Sequence, residues 1–468
     1  MKRCIYLDVT GLIAWGPAPP TGIQRVERSL LHAAADYPDV RPAYVTRKPP
    51  RLVPLGPSAL SQLRGLLAPR PDAISLNDRL GQLWQYYILN RPVIRNETAR
   101  ELARIALASN QQKGTAYQTL KAVFRFLLLI DKALQMLLAL LPFRAAAARS
   151  EEDGVALLCF ETARRTGGDI RLPPAVRPAF LIYDLMPVRQ PELSMGHRTE
   201  MMGHLLRRVI ARSDILITIS QTVRADLEDF EKNACDAPSR RRAKAIQLGS
   251  SAVNHDAATT PIAELENKRF ALFCSSIETK KSHHVLVAAW EQLIAELGPE
   301  AVPYLAFIGR RDTAYERLTK ALDENPAARR RTVLLHDVDD SGLRWAYRNA
   351  ALGLFASSFE GWGLGVSESL AYGLPVIHSP HPALREAAQD LMPCPAEDTP
   401  ECWADTLRPY LRDPERIAVL KARIAQDYRP RAPDEFARQL FDHLRTVSLT
   451  PDADEKPPVS AGMRSDAD

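Results

Sequence analysis

What the sequence has little of narrows its class more than its bulk composition does. Its six cysteines, Cys4, Cys159, Cys235, Cys274, Cys394 and Cys402, lie far apart and form no Cys-x-x-Cys pair. Neither a disulfide framework nor a zinc site is suggested, and reduced thiols in cytosol are the plain reading. Charge of one sign is equally scarce: 61 Lys and Arg against 56 Asp and Glu leave a net +5 over 468 residues. That excess is too small to argue for a nucleic-acid partner, although a local patch could face phosphates or anionic lipid. The histidines, including His283, His284, His336 and His378, make no spaced metal-ligand set. No convincing Asp-x-Asp motif closes a strand, and Asp337, Asp339 and Asp340 in HDVDD read as a solvated loop before a helix. The opening MKRCIYLDVTG meets Asp8 and Gly11 too soon for a signal peptide and reads as a first strand.

One long apolar run is present, but charge interrupts it. Residues 120–144, LKAVFRFLLLIDKALQMLLALLPFR, could span a bilayer in length, yet Lys121, Arg125, Asp131 and Lys132 would be costly at mid-membrane. Two readings stand side by side. The segment is either an amphipathic helix in the membrane interface, with Lys113, Arg144 and Arg149 near anionic headgroups, or a core helix of the first domain.

The remainder is that of an ordinary globular protein, 46% hydrophobic and 25% charged, with room for two or three domains of roughly 100–200 residues each. A buried strand over CIYLDV leads through a Gly/Pro-rich loop into the helical pattern IQRVERSLLHAAADY. Thr21 and Gln24 have the spacing of a capping box at its start. Residues 41–116 are Pro-rich and give no clear pattern. LLCF, AFLIYDL and DILITIS read as further buried strands, with a helix over RTEMMGHLLRRVIARS between the last two. After a polar linker at 256–268 the rhythm repeats: FALFCSS, HVLVAAWEQLIAEL, YLAFIG, VLLHDV, LGLFAS, a long helix from near Ser367, and PVIHS. The alternation predicts an α/β fold of two doubly wound Rossmann-like domains with a ligand cleft between them. The domains fall at 1–262 and 263–430, a helix at 431–448 packs back on the first domain, and the polar residues 449–468 read as a disordered tail.

The most informative stretch is SSFEGWGLGVSESLAYGLPVIHS. Glu360 ends a strand, the loop EGWGLG follows, and Glu368 falls near the start of a helix. Gly361, Gly363 and Gly365 would let backbone approach a ligand, and free N–H groups at the helix start suit a phosphate or a sugar hydroxyl. Two carboxylates around such a loop can accept hydrogen bonds from sugar hydroxyls. Lys280 and Lys281, between a strand and a helix, could meet a diphosphate, where a lone Lys-Lys pair would otherwise be a solvated surface.

This stretch resembles the glutamate-loop-glutamate signature of glycosyltransferase family 4. Glu360, Gly361, Trp362, Gly363, Leu364, Glu368, Gly373, Pro375, Val376 and Ile377 fall in place, with Gly365 where the family usually has Pro. Ser276-Ile277-Glu278-Thr279-Lys280-Lys281-Ser282-His283 resembles the family's T-I-E-x-R-K-N-H, with Arg replaced by Lys280. Such a change keeps charge but loses bidentate phosphate geometry. TGIQRVERSL is similar to the first loop and helix of a bacterial subgroup, and LIYDLMPVRQPEL to the family's H-D-L-x-P-x-x-x-P-E, with Tyr183 in place of His.

The resemblance implies a GT-B fold and a retaining, metal-independent transferase that takes a nucleoside diphosphate sugar as donor and needs no cofactor. It assigns Glu360 to the donor sugar, Glu368 to the ribose hydroxyls and Lys280 and Lys281 to the departing diphosphate. The glycine loop with Trp362 and Leu364, together with Gly22, falls to donor binding. Asp184 is either a cleft residue or a strand-end cap, and Arg25 either reaches the cleft or is an exposed helix arginine. Arg25, Tyr183 and Ser220 are candidates for the acceptor side. A hexose such as mannose, a glycan or lipid-linked glycan acceptor, and cytoplasmic residence at the membrane's inner face complete the expectation. A non-catalytic scaffold and a nucleotide-sugar epimerase are the alternatives, the first kept open by Tyr183.

Overall fold

The computed structural model describes residues 3–15, 21–46, 49–67, 153–193, 196–213, 215–235, 243–250, 257–336 and 338–447. The readings made for residues 120–144 and for the tail at 449–468 lie outside them.

The N-terminal domain opens with strand β1 (Cys4–Asp8), helix α1 (Thr10–Trp15) and helix α2 (Gly22–Ala33). Thr21 caps α2, and its N–H donates to Gln24 Oε1 at 3.2 Å, as the capping-box spacing predicts. Strands β2 (Val40–Val45), β3 (Leu52–Pro54), β4 (Gly154–Cys159) and β5 (Val176–Ile182) follow. Helix α3 (Gly196–Arg212), strand β6 (Ile215–Thr218), helix α4 (Gln221–Ala234) and strand β7 (Lys244–Ala245) close the domain. The sheet order is β3-β2-β1-β4-β5-β6-β7, parallel except for the edge strand β3. Every residue of β1, β4 and β6 is buried, as expected of parallel strands covered on both faces.

The C-terminal domain repeats the plan with strand β8 (Phe270–Cys274), helix α5 (His283–Leu297), and strands β9 (Tyr304–Ile308) and β10 (Thr332–Leu335). Helix α6 (Asp340–Asn349), strand β11 (Leu352–Phe355), helix α7 (Leu364–Ala371) and strand β12 (Val376–His378) follow. Its order, β10-β9-β8-β11-β12, is wholly parallel. Both sheets reverse direction beside their first strand, the switch point at which doubly wound folds hold ligands. Helix α7 is short where the sequence suggested a long one. It begins at Leu364 and stops at Ala371, because Gly373-Leu374-Pro375 cannot continue it.

The stretch expected as a linker is fastened to the second domain. Ala258 O accepts from Arg344 Nη2 at 2.9 Å, and Ile262 and Leu265 are buried in one cluster with Phe270. Ile262, expected as the last residue of the first domain, therefore belongs physically to the second. Four helices end the described chain: α8 (Pro382–Ala387), α9 (Pro400–Arg412), α10 (Pro414–Asp427) and α11 (Pro433–Thr446). Helix α11 crosses back onto α2 and β1. Phe441 there is fully buried, with its ring edge-on to Tyr37 at 5.2 Å, and Arg445 binds Asp39 with two hydrogen bonds of 2.7 and 2.6 Å.

This return should be a large part of what holds the halves together. Phe441→Ala is expected to lower stability in chemical denaturation by about 3–5 kcal/mol. The control Val419→Ala, at a site 60% exposed, should change it by less than about 0.5 kcal/mol. Equal effects would show that α11 does not bear on the core.

Candidate active site

Two segments of the C-terminal domain bring the lysines to the first glutamate. After β8 the chain runs back along the continuation of β11: Ser358 N–H donates to Lys280 O at 2.9 Å, and Ser282 N–H to Ala356 O at 3.0 Å. This pairing sets both lysines beside Glu360. Lys281 Nζ makes an ion pair and hydrogen bond to Glu360 Oε1 and lies 4.2 Å from the Phe355 ring centroid. Ser357 Oγ donates to the same oxygen at 2.6 Å, and Lys280 Nζ stands 4.0 Å from Oε2. Burial alone would raise the Glu360 pKa, but the two lysines and Ser357 outweigh it and bring it down to about 2. Burial likewise opposes the Lys280 charge, yet Glu360, Asp184 and Glu278 together hold its pKa above the ordinary lysine value.

A further carboxylate braces this arrangement from behind. Asp398 accepts from Ser282 Oγ at 2.6 Å, Ser379 Oγ at 2.8 Å and Trp403 Nε1 at 2.7 Å. The Ser379 hydroxyl in turn accepts from Ser357 N–H at 2.8 Å. Sequence reading missed Asp398. Its one local signal is the Thr-Pro that follows, which marks a helix start and says nothing of the three donors.

Glu368 is buried on α7. Tyr347 Oη donates to its Oε2 at 2.9 Å, and Arg25 of the N-terminal domain approaches Oε1 at 3.4 Å. Burial dominates and leaves the Glu368 pKa raised, against the pull of Arg25 and Tyr347. Arg25 also stands 3.7 Å from Asp340. It thus meets two carboxylates of the C-terminal domain, Glu368 and Asp340, and is not an exposed helix arginine. Asp340, read as part of a solvated loop, is one of its partners, and Asp339 caps α6 by accepting from Gly342 N–H at 2.7 Å. Asp337 lies outside the described residues.

The glycines meet protein where the sequence suggested an approaching ligand. A Cβ on Gly361 would lie 2.0 Å from Tyr183 O, and one on Gly365 would lie 2.4 Å from the Phe355 ring. Gly363 has φ +110, and a Cβ there would lie 2.6 Å from Leu384. Gly22 faces Leu364, whose Cδ1 would be 3.0 Å from an added Cβ. Bare backbone is required at Gly361 and Gly365 because the two domains, and helix and sheet, close on each other there. Trp362 is itself buried. Behind the loop, a cavity of about 310 Å³ is lined by Trp362, Ser367, Gln247 and Tyr428, and by neither Glu360 nor Glu368.

The seam carries several polar ties. Ser220 caps α4, accepting from Val223 N–H at 3.0 Å, and its Oγ donates to Gly361 O at 2.7 Å. Fully buried and doubly engaged, it is a tie between domains and not a contact for an acceptor. Glu386, which sequence reading missed, accepts from the N–H groups of Gln221 and Thr222 at 2.8 and 3.0 Å at the start of α4, and from Gln247 Nε2 at 2.6 Å. Asp184 accepts from Met186 N–H at 3.2 Å and borders Gly361 and Lys280, so it is both cap and cleft residue. Tyr183 turns into the core. Its side chain is buried, with the hydroxyl beside the Cys159 thiol and near Glu27 and Asp8.

Among the described residues no group of three or more His, Cys, Asp or Glu side chains could hold a metal ion. No helix among them is long and apolar enough to cross a membrane.

Residues 257–426, which carry Lys280, Lys281, Glu360 and Glu368, match the family model described as Glycosyl transferases group 1. These residues, little more than a third of the chain, resemble a group 1 glycosyltransferase domain. The chain is 26% identical over 227 residues to the serotype-specific mannosyltransferase WbdA of Escherichia coli, a match covering 45% of this chain and 27% of WbdA. Among solved structures it is similar to sucrose-phosphate synthase from Thermosynechococcus elongatus, with TM-score 0.57 and 16% identity over 95% of this chain and 98% of that one. It is also similar to HepE of Anabaena, solved with UDP and glucose, with TM-score 0.52 and 12% identity over 96% and 100% of the two chains. The fold of the chain is GT-B, two Rossmann-like domains facing a cleft.

The acidic cluster under Tyr183 gives a pH prediction. Glu27 is buried against Gly11, and burial first, then the Asp8 charge, pushes its pKa up to about 8. A carboxyl raised in the folded state contributes stability that is full below its ordinary value and is lost as pH climbs toward 8. The melting temperature should therefore fall between about pH 5 and 8, and Glu27→Gln should flatten that fall. An unchanged slope in the variant would refute the assignment.

Proposed function

We propose that the chain is a retaining hexosyltransferase that moves a sugar from a nucleoside diphosphate donor to a hydroxyl of a glycan or lipid-linked glycan acceptor. The observation that supports this most is the pair of buried carboxylates in the group 1 domain. Glu360 is set against two lysines, and Glu368 lies across the seam from Arg25. In this reading Glu360, held ionised, accepts from hydroxyls of the donor sugar, and Glu368 accepts from the ribose. Lys281 is committed to Glu360. Lys280, farther from it and less covered, faces the diphosphate and stabilises its negative charge as the glycosidic bond breaks. At the start of α7 the Val366 N–H is taken by Gly363 O at 3.0 Å, and the N–H groups of Leu364 and Gly365 add to that support. The acceptor hydroxyl approaches on the face the diphosphate leaves, which retains the anomeric configuration. Asp184, beside Lys280, lies on the N-terminal side of the same space.

The reaction so written needs no metal. Mannose is the first candidate sugar, by analogy with the name of WbdA, and UDP and glucose in HepE illustrate the donor class. Surface polysaccharide or lipopolysaccharide assembly at the cytoplasmic face of the membrane is the setting this reading favours.

A thermal-shift screen against GDP-, UDP-, dTDP- and ADP-sugars tests the proposal. At a hundredfold excess over Kd, one base should add about 2.7 kcal/mol of stability, read as a rise of a few degrees, and Glu368→Ala should remove it. NMR of the product anomeric proton then reads the stereochemistry. No shift with any base, or an inverted product, would count against the reading.

A further inference from the structure

Arg25 belongs to α2 of the N-terminal domain, yet its guanidinium serves carboxylates of the other domain. It lies 3.4 Å from Glu368 Oε1 and 3.7 Å from Asp340 Oδ1. The approach is close: the neighbouring Gly22 is packed on Leu364, the first residue of the helix that carries Glu368. The Glu368 side chain is 10% exposed and Asp340 is 82% exposed, so the buried carboxylate is the one that depends on its partner. Its two oxygens are divided between domains. Tyr347 gives Oε2 a neutral hydrogen bond from within the C-terminal domain, and Arg25 brings Oε1 a positive charge from outside it. A carboxylate removed from water keeps its charge only where a cation or several donors replace the lost hydration.

We infer that Arg25 is a positioning residue which, delivered by closure of the two domains, holds Glu368 ionised and oriented and so makes tight donor capture conditional on the closed seam. This deepens the donor-site reading and rests on it. Among the described residues, the other groups facing Glu368 bring it no positive charge. Tyr347, Cys274 and Tyr372 are all shifted upward by burial and stay neutral near pH 7, and Asp340 adds a negative charge that pushes Glu368 up. Without Arg25 the Glu368 carboxyl takes up a proton at higher pH, and a protonated carboxyl gives up part of its capacity to accept from ribose hydroxyls.

The test is a double-mutant cycle on the full chain. Binding of GDP, UDP, dTDP and ADP is measured by calorimetry at pH 6 and pH 8 for wild type, R25Q, E368Q and R25Q/E368Q. The E368Q protein carries the pH dependence of the nucleotide itself, so ratios to it isolate Glu368. R25Q should weaken binding of the preferred nucleotide about tenfold at pH 8, and by more at pH 6. Adding R25Q to E368Q should cost no more than E368Q alone. Losses that add, or an R25Q loss with the wild-type pH profile, overturn the inference while leaving the donor site intact. Wild type that binds none of the four, with E368Q indistinguishable from it, instead sinks the donor-site reading. If R25Q does not fold, R25K enters the same cycle. Its retained charge must preserve the wild-type pH profile, and a loss that persists in the E368Q background overturns the inference.

Discussion

The closeness of Gly361 to the carbonyl of Tyr183 is the constraint on which the site depends. A Cβ at that position would lie 2.0 Å from the carbonyl oxygen, so only a hydrogen lets the glycine loop slide under the end of β5. Once it does, the remaining contacts follow from geometry. Gly361 O reaches the Ser220 hydroxyl, Asp184 comes beside Lys280, and Arg25 comes beside Glu368. None of these ties is strong by itself, since a net hydrogen bond contributes about 0.5–1.5 kcal/mol. Their sum holds two domains in register, yet each can be exchanged for water. A seam built this way favours closure without making it permanent, which suits the proposed transfer, in which a donor enters the cleft and a nucleotide leaves it.

Much of the fold was legible because parallel strands covered on both faces must be apolar along their whole length. CIYLD, GVALLC and FALFC announce themselves by that rule. Strand β2 does not. VRPAYV carries Arg41 and Pro42, and its pairing with β1 and β3 is fixed by partners distant in sequence. The site divides in the same way. Glu360 and Glu368 were legible since eight residues of loop and helix start place them, and the lysines since they follow a strand end. What braces them from distant parts of the chain was not. Arg25 lies 343 residues from Glu368, Asp398 lies 116 from Ser282, and Glu386 lies 165 from Gln221. No local period encodes such meetings. The glycines show the limit most clearly, because sequence shows that a side chain is excluded and says nothing of what excludes it.

The charged groups at Glu360 call for a reason other than stability. Burying an ion pair usually costs as much in lost hydration as it returns in attraction, and apolar residues of similar shape often serve stability better. Here two ammonium groups share one carboxylate, with a serine hydroxyl also donating to Glu360 and a ring lying against Lys281. Lys280, at 4.0 Å, acts on Glu360 through its charge, whereas Lys281 and Ser357 also hydrogen-bond it. Its pKa is raised by three carboxylates around it, so it stays charged in a place from which water is largely excluded. A fixed cation of this kind does more for an arriving anion than a solvated one, because no hydration shell has to reorganise first. Under the proposed function the unequal engagement of the two lysines has a physical sense: Lys281 hydrogen-bonds the carboxylate, and the more exposed Lys280 is the one left to meet the diphosphate.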